Sequence, residues 1–91
     1  MTLAPYEVAW TGTAKRALER LPEKVGTAII EFCYGALAEN PQRVGKSLQF
    51  DLTGLHSARR GDFRVIYRII EADRRIDVVA IEHRSDVYRP R

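Results

Sequence analysis

The stretch that decides the fold reads Leu55-His56-Ser57-Ala58-Arg59-Arg60-Gly61-Asp62-Phe63-Arg64-Val65-Ile66-Tyr67-Arg68-Ile69-Ile70. Its second half alternates. Phe63, Val65, Tyr67 and Ile69 fall on one side, and Arg64, Ile66, Arg68 and Ile70 on the other. This period of two predicts a strand over residues 63–70. Gly61-Asp62 has the character of a tight two-residue hairpin turn, so a partner strand is expected over about residues 55–60. Strands joined by so short a turn are antiparallel. Folding back there brings Arg59 or Arg60 near Arg64 on facing strands.

Outward from the hairpin, a loop at Glu71 to Arg75 leads to a third strand, Ile76 to about Glu82, and then to a short basic tail, His83 to Arg91. Upstream, Pro41 to Gly54 is a polar connection with little internal period, holding a short helix or none. Before it, Val25, Ala28, Ile29, Phe32, Cys33, Ala36 and Leu37 step by three and four residues, the spacing of one helix face. Asn40-Pro41 ends that helix. Pro22 stops a shorter helix and opens the longer one. The shorter helix carries Ala14, Ala17, Leu18 and Leu21 on one side, with Thr13 as its expected N-cap. Pro5 to Trp10 alternates again, Tyr6, Val8 and Trp10 on one side, and predicts a first strand. The order is β-α-α-β-β-β in one domain, residues 1–91. It implies an α+β fold, two helices packed on one face of a mostly antiparallel four-stranded sheet. The opposite face is left to water or to a ligand.

Composition narrows the function. The 91 residues include 45% hydrophobic and 30% charged side chains, a globular balance. No apolar run approaches the ~18 residues of a membrane span. Met1 to Trp10 lacks the basic start and apolar stretch of a signal peptide, so a cytoplasmic location is expected. The single cysteine, Cys33, lies on the apolar helix face and reads as core. With two histidines and one thiol, a metal site is not expected, and no cofactor fingerprint occurs. The net charge of +3 is unevenly placed. Residues 1–58 are balanced, whereas residues 59–91 carry nine arginines against six acids. Arginine presents a planar, permanently charged fork that fits phosphate oxygens.

Two clusters could carry chemistry. The first is the arginine-rich hairpin, Arg59, Arg60, Arg64 and Arg68. Guanidiniums gathered at one place are tolerated when solvated, paired or shared by a polyanion. From the pattern alone, plain surface pairing of Arg64 and Arg68 with Asp62, Glu82 or Asp86 accounts for them somewhat better, and such pairs contribute about 0–1 kcal/mol. The second is Glu82-His83-Arg84-Ser85-Asp86-Val87-Tyr88. Cleaving RNA without a metal needs a base for the 2′-hydroxyl proton, cations for the phosphorane and an acid for the leaving oxygen. Histidine is the residue type best suited to proton transfer near neutral pH, which makes His83 a candidate, and Tyr88 could donate a proton or stack on a base. Taken singly, a hydrogen-bonded strand-end histidine and a packed tyrosine explain both residues.

Together these residues resemble the RelE family of toxin–antitoxin systems. The resemblance rests on Val44-Gly45-Lys46-Ser47-Leu48, on Asp51 to Tyr67, on His83 to Tyr88 and on the helix from Thr13 to Pro22, and so spans essentially the whole chain. Ser57 to Asp62 is similar to actinobacterial members. The resemblance implies a small endoribonuclease, an mRNA interferase that enters the ribosomal A site and cuts mRNA there. It implies as partners a cognate antitoxin, the ribosome and mRNA, and operator DNA only through the toxin–antitoxin complex, with no membrane. By position, Arg64 matches the central-strand arginine that contacts the scissile phosphate, and Tyr88 matches the C-terminal tyrosine. His83 and Arg84 fall in the variable basic cluster. One branch of the family carries two lysines where this chain has Leu55-His56-Ser57, and an arginine where it has Glu82. Arg59, Arg60, His56 and His83 are the available substitutes, which leaves the general base open. Arg64, Tyr88, His83 and Arg59 are thus the expected catalytic groups; Arg60, Arg68, Arg84, Lys46 and His56 are the expected RNA contacts. A ParE-like gyrase inhibitor and a catalytically weak antitoxin partner are the competing readings.

Overall fold

The computed structural model describes residues 4–48 and 54–84; Tyr88, with Ser85, Asp86 and Val87, lies outside them. The elements in chain order are β1 (Glu7–Trp10), α1 (Gly12–Arg20), α2 (Glu23–Phe32), a π-helical turn (Cys33–Leu37), α3 (Pro41–Val44), β2 (Lys46–Ser47), β3 (His56–Arg60), β4 (Phe63–Ile70) and β5 (Arg75–His83). The sheet order is β1-β5-β4-β3-β2, with β1 parallel to β5 and the other pairs antiparallel. The expected architecture is present, with a fifth strand added: two residues of the polar connection, Lys46 and Ser47, pair with Ser57 and His56. A strand that short leaves no alternation to read.

Local chemistry explains most boundaries. The hairpin pairs Arg60 with Phe63 across Gly61-Asp62. Gly61 takes φ +62°, a conformation glycine adopts without a side-chain clash. The N-cap of α1 is Thr11 rather than Thr13. Its hydroxyl accepts from the Ala14 N–H at 3.1 Å and donates to the Val79 carbonyl at 3.1 Å. Thr11 thereby also ties the helix start to β5; Thr13 is already the second residue of the helix. Val79 is the extra residue of a β-bulge: Tyr67 pairs with Val78, but Ile66 pairs with Ala80. The π turn continues α2 into the core, where Cys33 and Leu37 are fully buried.

The helices cover one sheet face. Ala14, Ile29, Cys33 and Leu37 meet Ala58, Val65, Tyr67, Ile76 and Val78 there. Fully burying a side chain such as Val65 or Ile76 contributes roughly 1.5–3 kcal/mol. Exposed ion pairs such as Arg75 with Asp73 are screened by water and contribute far less. Apolar packing therefore holds the fold, and the charges on the other face are free to serve something else.

Two ionisable groups of this core, Cys33 and Tyr67, are fully buried. Burial pushes the Cys33 thiol from 9.0 up to about 12. Burial also pushes Tyr67 from 10.0 up to about 12, against a smaller downward pull from the Gly45 backbone hydrogen bond. Both groups are held neutral by the fold, so their contribution is complete below the unfolded values and is lost as pH rises through the folded ones. Stability measured by urea unfolding should hold steady up to about pH 9 and fall between about 9 and 12, and a Cys33→Ala variant should begin its fall nearer pH 10. A fall already under way at pH 8 would contradict the burial of these groups.

Candidate nucleic-acid interface

Residues directly opposite on paired strands share a face, and alternate residues along a strand change face. The register therefore sorts the candidates. Arg59 pairs with Arg64, and Arg64 with Glu82. Lys46 pairs with Ser57, which precedes Arg59 by two. Arg68, four residues beyond Arg64 on the same side of β4, stands opposite Asp77. These residues lie on the face without helices. Arg60 pairs instead with Phe63, His56 with Tyr67, and His83 with Phe63. Those three lie on the helix-bearing face.

The open face has two adjoining clefts, of about 350 and 390 Å³. Arg59 and Arg64 wall both. Asp62 and Arg84, with Phe63, also line the first, and Lys46 and Ser57 are among those lining the second. The structure thus selects Arg59, not Arg60, as the neighbour of Arg64. Arg64 donates its Nε–H to Ser57 Oγ at 3.0 Å, and Arg59 donates from Nε to the Gly61 carbonyl at 3.3 Å. Arg84 Nη1 lies 3.8 Å from Asp62 Oδ1, a long and exposed pair. The Arg84 backbone N–H donates to the Asp62 carbonyl at 2.8 Å, which ties the end of β5 to the hairpin turn. Among the described residues Arg64 makes no ion pair. Such a cluster, rich in cations and incompletely neutralised, suits an anionic ligand with spaced charges.

The other candidates have structural surroundings. The His56 ring stacks on Tyr67, centroids 5.5 Å apart, and its buried Nδ1 has no hydrogen-bond partner among the described residues. The His83 ring meets Phe63 edge-on at 5.0 Å. Arg60 borders a groove beside Val25, Ala28 and Phe63, between α2 and the hairpin.

The architecture and this basic face can be compared with known proteins. Residues 8–88 match the family described as the ParE toxin of type II toxin–antitoxin systems, parDE. The chain is 54% identical over 85 residues to the toxin RelE of Mycobacterium tuberculosis, covering 93% of this chain and 88% of that one. The chain belongs to the RelE/ParE toxin family. It is a RelE-family toxin of a type II toxin–antitoxin system. The toxin RelG of Mycobacterium tuberculosis is 44% identical, covering 93% of this chain and 98% of the relative. The RelBE2 toxin–antitoxin complex of the same organism contains a chain with TM-score 0.87 and 42% identity, covering 92% of this chain and 97% of that one. Among the described residues, no helix of this toxin is long and apolar enough to cross a membrane.

Two residues without charge matter to this face and escaped the sequence reading. Ser57 holds Arg64; counting by twos back from Arg59 places it on the arginine face, but the motif it opens was read for its arginines. Gly45 sets the height of Lys46. The buried Tyr67 hydroxyl donates to the Pro41 carbonyl at 2.6 Å, which seats α3 against the sheet. Gly45 then passes over that hydroxyl so closely that a Cβ would collide with it and lie 2.9 Å from the Ser57 carbonyl oxygen. Its φ of −107° is open to any residue, so space is what requires glycine. A Gly45→Ala variant should lose about 1–3 kcal/mol by overpacking, read as a lower thermal midpoint. A midpoint unchanged within error would mean that β2 does not approach Tyr67 this closely.

Proposed function

We propose that this toxin is a ribosome-dependent endoribonuclease that cuts mRNA in the A site without a metal. The observation that carries the reading is the convergence of Lys46, Arg59, Arg64 and Arg84 on adjoining clefts of the helix-free sheet face. In the reaction the 2′-oxygen attacks the adjacent phosphorus and the P–O5′ bond breaks. The 2′-hydroxyl gives its proton to a base, and an acid supplies one to the departing 5′-oxygen. Negative charge gathers on the phosphoryl oxygens, where preorganised cations act most strongly. Arg64 and Arg59 are assigned to the scissile phosphate, and Lys46, Arg68 and Arg84 to phosphates beside it. Tyr88 is assigned to proton transfer; His83, expected there from the sequence, packs its ring on Phe63 on the helix-bearing face and is assigned instead to RNA outside the cleft. Arg60 and His56, on the helix-bearing face, are assigned to RNA outside the cleft.

The likeness to a toxin solved with its antitoxin supports a cognate antitoxin as partner. With that partner goes repression of the toxin's own operon by the complex. The site of action is the cytoplasm, where ribosomes meet mRNA. The net charge is only +3, so the ribosome supplies much of the alignment and free RNA is a poor substrate.

Primer extension in a purified translation system tests the reading. Cuts should be confined to the A-site codon and absent without ribosomes, and Arg64→Ala should slow them by roughly 10²–10³-fold. The matched family is named for ParE, which keeps gyrase inhibition as the second reading. Intact mRNA on active ribosomes, together with blocked gyrase supercoiling, would establish it instead. A protein inert in both assays that still binds its antitoxin would be a catalytically weak partner.

A further inference from the structure

We propose that Ser57 is a positioning residue for Arg64, fixing the guanidinium so that its two Nη groups, not its Nε edge, meet the phosphate. The inference rests on the nuclease reading above. Ser57 lies diagonally across the hairpin from Arg64, within reach of so long a side chain. It accepts the Nε–H of Arg64 at 3.0 Å. Directly opposite Arg64 on the other side is Glu82, whose carboxylate is the stronger acceptor for a guanidinium. Yet among the described residues Arg64 forms no ion pair, and it leans toward β3. There it walls both clefts, beside Arg59 and Lys46.

The choice of a neutral acceptor has a chemical consequence. A carboxylate on Arg64 would orient it but cancel the charge that the phosphorane needs. The serine hydroxyl orients it and leaves the charge intact. With Nε–H engaged, the four N–H bonds on Nη1 and Nη2 remain, a geometry that spans two phosphate oxygens. The hydroxyl keeps its own proton, which is available to a phosphoryl oxygen bound beside Arg64. Where one branch of the family carries a lysine on this strand, this toxin carries a group that acts through its neighbour.

The test is a double-mutant cycle read by single-turnover cleavage of mRNA on stalled ribosomes. Ser57→Ala should slow cutting ~10- to 100-fold with the ribosome concentration at half-saturation little changed, since misorientation costs rate rather than binding. Ser57→Thr, which keeps the hydroxyl, should restore most of the rate. In an Arg64→Ala background, Ser57→Ala should cost nothing further, because the group it positions is gone. Thermal midpoints of Ser57→Ala and Ser57→Thr should match wild type within a few degrees, setting folding aside. Wild-type rates in Ser57→Ala, or an equal loss in both backgrounds, would overturn the positioning role alone. A wild-type protein that cuts no mRNA on active ribosomes would overturn the nuclease reading, and this inference with it.

Discussion

One buried hydrogen bond organises the basic side of the molecule. The Tyr67 side chain is fully buried in the core, and its hydroxyl needs a partner there. The Pro41 carbonyl supplies it at 2.6 Å. That contact fixes the first residue of α3 over the middle of β4. Four residues later the chain emerges at Gly45, pressed on the same hydroxyl, and Lys46 follows in register with Ser57. A polar atom inside the core thus sets where a cation stands on the outside. The α3 segment has a second anchor: Gln42 donates to Tyr6, whose hydroxyl donates to Glu71 at 2.8 Å. Edge strand β2, two residues long, therefore gains its order from the sheet beneath it.

Much of this could be read from the sequence, for physical reasons that vary by element. The hairpin was legible because two independent signals coincide there, a turn glycine and an eight-residue alternation. β4 runs Phe63–Ile70, as that alternation predicts. The cap of α1 was placed at Thr13, two residues late, because the contact of Thr11 with Val79 that fixes it is tertiary and leaves no local signal. The π turn was invisible because spacings of three and four residues tolerate an extra residue in a turn. β2 was invisible because its pairing comes from Tyr67 and Gly45, not from its own two residues.

The site divides in the same way. The pairing of Arg59 with Arg64 follows from the hairpin alone. The face of His83 does not. Alternation counted from Ile76 puts Ile76, Val78, Ala80 and Glu82 against the helices and His83 among the arginines. The bulge at Val79 reverses that parity beyond residue 79, so Ile81 and His83 face the helices and Glu82 faces Arg64. A bulge one residue long has no signature in a single sequence. Ser57 was passed over for a different reason: a lone serine in a strand looks like any solvated residue until its partner is seen.

That bulge also bears on how the sheet finds its register. Were β5 to zip straight on past Val78, each later residue would pair one place early. Ile81 would be stranded among the arginines, and the Glu82 carboxylate would be driven against Phe63 and the apolar side of α2. Both errors are costly, one by exposing an isoleucine and the other by dehydrating a charge. Two adjacent residues at the end of β5 therefore proofread a pairing decision made three or four residues earlier. A chain that zips in the wrong register is unstable at its last two rungs, before Arg84 can reach the hairpin turn.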